Sequence, residues 1–144
     1  IVQRHGVDWR WWMVLNKATS ISFYLRTGRI HIFTDAIRTI GEPSFIRFLL
    51  NQDGTSMIME PYHTKEFQSI KVPQGIFTKT ATMEFGCKPF CSLLEYTIGW
   101  NPRYSYRIPG KIMQAQHIAL FDLTCAVKIE NIRPTKYTSP VAKS

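Results

Sequence analysis

The stretch from Gly28 to Pro61 constrains this chain most, because its punctuation admits few ways of folding. Gly28-Arg29-Ile30-His31-Ile32-Phe33 sets Ile30 and Ile32 against Arg29 and His31, the alternation of a half-buried strand. Thr34 or Asp35 can cap the free amides of a following helical turn. Ile37 and Ile40 lie one turn apart and give that helix a single apolar face. Gly41 suits a left-handed stop, and Pro43 prevents the helix from continuing. Phe45, Ile46, Phe48, Leu49 and Leu50 form a nearly unbroken apolar run, which predicts a strand covered on both faces. Asn51-Gln52-Asp53-Gly54 then supplies hairpin chemistry. The reading is strand, short helix, strand, tight turn and a last strand from Ser56 to Glu60.

In this register the stretch resembles the AbrB/MraZ-like swapped-hairpin domains of bacterial transition-state regulators and antitoxins. Those domains carry a Gly-Arg-hydrophobic-x-hydrophobic-Pro strand, a short helix ending in Leu-Gly, and a β-hairpin. Gly28, Arg29, Ile30, Ile32, Asp35, Arg38, Thr39, Ile40 and Gly41 fall on that pattern, and Phe33 stands where the family has Pro. The resemblance implies a swapped-hairpin or double-psi-like small barrel and a role in binding DNA. It places Arg29 and Arg38 on the DNA-facing surface.

The neighbouring segments extend this frame. Ile21, Phe23 and Leu25 alternate with Ser22 and Tyr24, predicting a strand that pairs with Arg29–Phe33 across the turn Arg26-Thr27-Gly28. Phe67, Ile70 and Val72 suggest one more strand before Pro73. Phe90, Leu93, Leu94 and Ile98 share a helical face that Gly99 ends. Tyr104 to Met113 alternates like a strand, with a turn expected at Pro109-Gly110. His117 to Leu123 and Ala126 to Ile129 read as two strands or one bent strand. Arg29-Ile30-His31-Ile32-Phe33 and Ser105-Tyr106-Arg107-Ile108-Pro109 are comparable. They are either degenerate copies of one β-α-β unit or two ordinary strand units.

The expected class is therefore mainly β with short helices (β/α+β). The expected organisation is an N-terminal extension over residues 1–18, an AbrB-like unit over 19–72 and a linker over 73–86. A second small α+β unit follows over 87–132, and then a flexible tail over 133–144. Position 1 is Ile, and Trp9, Trp11 and Trp12 crowd beside Arg4 and Arg10. The extension is either upstream sequence foreign to the native protein, a packed strand, or a stacking cluster.

A formal net charge of +8 favours a polyanionic partner through counterion release. Arg26, Arg29, Arg38 and Arg47 fall on or beside the central stretch, and Arg107 and Lys111 occupy corresponding places in the second unit. The guanidinium fork grips phosphate or guanine in a bidentate way. The alternative for Arg29 and Arg38 is surface pairing with Asp35 or Glu42, which is worth little. These six residues are the expected duplex-DNA contacts of a bacterial, phage or mobile-element transcriptional regulator acting as a homodimer. A protein-interaction module, antitoxin-like or an assembly component without direct DNA binding, is the other class.

The acids are scattered, and no Gly-rich phosphate loop, H-E-x-x-H or G-x-S-x-G motif is present. No catalytic residue, cofactor or small-molecule substrate is therefore expected. Cys87 and Cys91 have metal-compatible spacing, but the remaining ligands would have to come from Cys125 and His31, His63 or His117, so buried free thiols are the expectation and no metal is assigned. Three cysteines without a secretory leader argue for a reducing cytoplasm. No apolar run reaches the ~20 residues of a membrane helix.

Overall fold

Alternating side chains along nine strands among the described residues build one curled antiparallel sheet with its apolar side turned inward. The structure is a computed structural model. It describes residues 16–65 and 69–129. The strands are β1 (Asn16–Tyr24), β2 (Arg29–Phe33), β3 (Phe45–Leu50), β4 (Ser56–Tyr62), β5 (Ser69–Lys71), β6 (Thr82–Gly86), β7 (Ser105–Met113), β8 (Ile118–Asp122) and β9 (Val127–Ile129). The helices are α1 (Thr34–Thr39), α2 (Ile76–Lys79) and α3 (Lys88–Ile98). The strand order is β5-β3-β4-β8-β7-β1-β2-β6, with β9 added beside β7. The class is thus mainly β with a few short helices, and the sheet forms a curled half-barrel.

Ile21 and Phe23 of β1, Ile30 of β2, Met59 of β4, Ile108 of β7 and Phe121 of β8 are all fully buried. Burying such side chains stabilises the fold by about 1.5–3 kcal/mol each. The curl brings distant strands together: Phe48 of β3 and Phe85 of β6 stack with ring centroids 6.4 Å apart. Helix α3 lies across this junction, its Phe90 ring 5.3 Å from Phe48 and 5.8 Å from Phe23.

The β1–β2 hairpin forms as expected, with Ile21 opposite Ile32 and Tyr24 opposite Arg29. Gly28 turns the corner at φ +70°, and a Cβ there would lie 2.5 Å from Lys88 Cγ. Helix α1 ends at Thr39, Ile40 caps it, and Gly41 follows with φ +117°. Ile37 and Ile40 are buried on its inner face.

Several expectations change. Phe33 is the residue preceding α1, and neither Thr34 nor Asp35 caps the helix by a side-chain hydrogen bond. Thr34 is already helical, so its hydroxyl is not placed to reach the free amides. Strand β3 is covered on one side only: Ile46 is buried, while Leu49 on the other side is 39% exposed. On α3, Cys91 and Leu94 are buried and Leu93 is exposed.

No turn forms at Pro109-Gly110; β7 runs straight through both residues. Gly110 is there for space, because a Cβ would lie 2.5 Å from Phe121 Cδ1 and 2.6 Å from the Leu120 carbonyl oxygen. The segment 73–86, read as a linker, holds α2 and β6, and β6 pairs with β2 along its whole length. The units read as 19–72 and 87–132 share one sheet, because β1 pairs with β7 from Asn16 to Tyr24.

The two compared segments both pair with β1, but β2 leads into α1 whereas β7 runs on to Met113. Ile21 of β1 lies opposite both Ile32 and Ile108, and Ser22 lies opposite both His31 and Arg107. The Trp9–Trp12 cluster, Phe67 and the 133–144 tail fall outside the described residues.

Candidate nucleic-acid interface

Strand β1 sits between β2 and β7, and the alternation that sends Ile21 and Phe23 into the core sets Ser22 and Tyr24 on the opposite face, where Tyr24 is half-buried and Ser22 is buried beneath its neighbours. Pairing then sets successive rows on the outer face. One row runs Gly86, Arg29, Tyr24, Ser105 and Ile129 across β6, β2, β1, β7 and β9. The next runs Glu84, His31, Ser22, Arg107 and Val127. Arg29 and Arg107 therefore stand on the same face, on either side of one strand, with neighbouring strands about 4.8 Å apart.

Each is held by a different partner. Arg29 Nε donates to Glu84 Oε2 at 3.0 Å, and His31 Nε2 lies 3.1 Å from the same oxygen. The Arg29 hydrogen bond is the main reason that the Glu84 carboxyl sits below its ordinary pKa, with His31 adding to it against partial desolvation. The His31 ring rests against Tyr24, centroids 4.6 Å apart. Arg107 Nε donates to Ser22 Oγ at 3.3 Å, and no carboxylate pairs with Arg107 among the described residues. Beside Arg107 a groove of about 480 Å³ is lined by Ser20, Pro109, Val127, Lys128 and Ile129.

Two further expected residues border this face. Lys111 lies exposed on β7, between Ala18 of β1 and Leu120 of β8. Arg26 lies exposed in the turn that leads from Tyr24 to Arg29.

The other two stand apart. Arg38 belongs to α1, beyond the end of β2 opposite Arg29. It donates to the Phe77 carbonyl at 2.7 Å and reaches Asp35 Oδ1 at 3.4 Å and Glu42 Oε2 at 3.8 Å. Asp35 also accepts from Lys17, the largest cause of its lowered pKa. Arg47 on β3 faces Glu60 on β4, with its Nε 2.8 Å and a terminal nitrogen 2.6 Å from Glu60 Oε2. Its guanidinium also lies 4.4 Å over the Tyr62 ring. This two-nitrogen grip on a stacked guanidinium braces the β3–β4 pair.

His31, Tyr24, Ser22 and Glu84 were not anticipated as parts of the site. Three of them sit at outward positions of strands that were recognised. Glu84 had a fainter signal, the alternation Thr82-Met83-Glu84-Phe85 inside the supposed linker.

The candidate metal ligands do not meet: Cys87 and Cys91 lie at the start of α3, and Cys125 lies exposed after β8. No group of three potential ligands is assembled among the described residues. Burial, then the nearby Cys87 and Glu95, pushes the Cys91 thiol up to about 11. No helix among the described residues is long and apolar enough to cross a membrane.

Comparison of the chain with protein-family models, curated proteins and solved structures finds no match. The chemistry of the face must be read from its own side chains. Two guanidinium groups, a lysine and a tilted tyrosine–histidine ring pair offer multidentate donors to a phosphate-bearing ligand. A phosphate at Arg29 would meet the Glu84 carboxylate already held at Nε.

Proposed function

We propose that this protein binds duplex DNA through the outer face of β2, β1 and β7, as a transcriptional regulator of bacterial, phage or mobile-element type. The observation that carries the reading is the placement of Arg29 and Arg107 in adjacent rows on either side of β1. Arg26 and Lys111 extend that surface along its length, and the net charge of +8 supplies long-range attraction. The strand–helix–strand order from Arg29 to Leu50 is consistent with the AbrB/MraZ-like resemblance of the Gly28–Pro61 stretch. A homodimer is part of the proposal, because a twofold axis presents each arginine twice. Arg38 and Arg47 drop out as direct contacts because of where they stand: Arg38 sits on α1 beyond the end of β2, and Arg47 on β3 is separated from β1 by β4, β8 and β7.

Fluorescence anisotropy with a random-sequence duplex between about 50 and 200 mM salt tests the proposal. Affinity is expected to fall steeply with salt, and Arg29→Ala with Arg107→Ala is expected to weaken binding at least about tenfold at fixed salt. Absence of binding at the lowest salt, or an unaltered double variant, refutes it. Sedimentation of the free protein and of the complex reports the stoichiometry.

The protein-interaction reading draws on a different part of the sheet. Leu49, Ile58 and Leu120 form an outward apolar row across β3, β4 and β8, and Leu49 is the most exposed of them. Leu49→Lys leaves DNA affinity unchanged if the first reading holds.

A further inference from the structure

A cleft of about 600 Å³ opens where β2 passes into α1 and α2 packs beside them, a volume in the range of small-ligand pockets. Phe33, 47% exposed, and Phe77 give it aromatic surface. Arg38 is fixed in its wall by the Phe77 carbonyl and by Asp35, with its guanidinium 5.9 Å over the Phe77 ring. Lys79 lines the same cleft and is exposed, with no carboxylate partner among the described residues.

Another lining residue adds an independent observation. Thr34 is 1% exposed, and its hydroxyl has no hydrogen-bond partner among the described residues. Buried hydroxyls ordinarily have one, and leaving one unsatisfied is unfavourable. The cleft thus combines aromatic flanks, a guanidinium immobilised by Asp35, an ammonium without a carboxylate partner among the described residues and an unsatisfied hydroxyl; Asp35 also lines the cleft, its charge offset by Lys17 and Arg38. A flat ring satisfies the first of these, and an anionic group satisfies the second and third.

We propose that this cleft binds a small planar aromatic anion, its ring against Phe33 and its negative group between Arg38 and Lys79. The site lies away from the Arg29–Arg107 face and does not depend on the DNA reading. Calorimetric titration of the full chain decides it, with adenosine monophosphate and indole-3-acetate as ring-bearing anions and with adenosine and inorganic phosphate as controls. At least one ring-bearing anion is expected to bind about tenfold more tightly than either control. The better of the two identifies a phosphate or a carboxylate as the preferred charge. Phe33→Ala and Lys79→Ala, both at exposed positions, are each expected to weaken that binding about fivefold or more with the thermal midpoint unmoved. The proposal is overturned if neither ring-bearing anion approaches saturation by about 5 mM. It is equally overturned if a control binds as well, or if both variants bind like the parent.

Discussion

Arg29 on β2 and Glu84 on β6 are joined across the ladder by one charge-assisted hydrogen bond, Nε to Oε2 at 3.0 Å. Both side chains are nearly half exposed, so water screens the pair and its contribution to stability is small. Its larger consequence is competition, because the carboxylate holds Arg29 Nε and sets a negative charge beside the guanidinium that a phosphate would use. Glu84→Gln is expected to raise duplex affinity about three- to tenfold, with the thermal midpoint almost unchanged. Anisotropy at constant salt measures it. Weaker binding in the variant would mean that Glu84 orients Arg29 for its ligand.

Arg47 and Arg107 separate structure from binding. Arg47 is about three-quarters covered, gripped by Glu60 and stacked on Tyr62. Arg47→Ala is expected to cost about 1–2 kcal/mol in urea unfolding while leaving DNA affinity intact. Arg107, held among the described side chains by the single Ser22 hydroxyl, should behave in the opposite way. Arg107→Ala should move stability by less than about 0.5 kcal/mol and weaken binding several-fold. Equal effects of the two variants on affinity would contradict the separation.

Acid should loosen the surface network in a defined window. Glu84 and Asp35 both have lowered pKa values, through Arg29 and Lys17 respectively, against ordinary values of 4.5 and 3.8. A depressed folded pKa stabilises the native state above the unfolded value, and that contribution fades as pH falls through the folded one. Thermal midpoints should therefore stay level from pH 7 to about 5 as far as these two groups are concerned, then decline as pH drops below 4.5 for Glu84 and below 3.8 for Asp35. A Glu84→Gln, Asp35→Asn double variant should show a shallower decline over the same range. An identical acid limb in both proteins would show that other carboxylates govern it.

The same residues show how much of this architecture can be read in advance. β1, β2, α1, the β3–β4 hairpin and α3 are local: alternation, a turn glycine and a helical apolar face announce each of them in consecutive residues. The partners of those elements are not local. Arg29 and Arg107 read as basic strand residues, but only the β1–β7 pairing places them on one face. Glu84 lies 55 positions from Arg29, inside a segment whose short strand resembles a linker. Arg38 and Arg47 fitted a basic stretch in sequence, yet each meets an acid, a few residues away on α1 or across the β3–β4 ladder. Proximity in sequence recorded their charge and not their engagement.

Gly110 illustrates a misread signal and carries its own test. Pro-Gly ordinarily marks a turn, but here Pro109 and Gly110 lie within β7, and the glycine makes room for the Phe121 ring. One of the three clashing atoms that a Cβ would meet is backbone, so rotation of Phe121 alone cannot relieve it. Gly110→Ala is expected to lower the urea midpoint by an amount equivalent to about 1–3 kcal/mol, with an unchanged slope. A neutral substitution would mean that β7 and β8 separate there without penalty.

The closest test of the curl is the stack between Phe48 and Phe85. Phe48 belongs to β3 and Phe85 to β6, near opposite ends of the strand path, so only the curvature of the whole sheet brings their rings to 6.4 Å. Phe90 of α3 stacks on Phe48 as well, so truncating Phe48 removes two aromatic contacts and truncating Phe85 removes one. Phe48→Ala should cost about 2–4 kcal/mol, and Phe85→Ala less. A double-mutant cycle should return a coupling of about 0.5–1.5 kcal/mol between these two rings. A flatter sheet held together only by local hairpins would give zero coupling, because its two ends would then meet α3 independently and never each other.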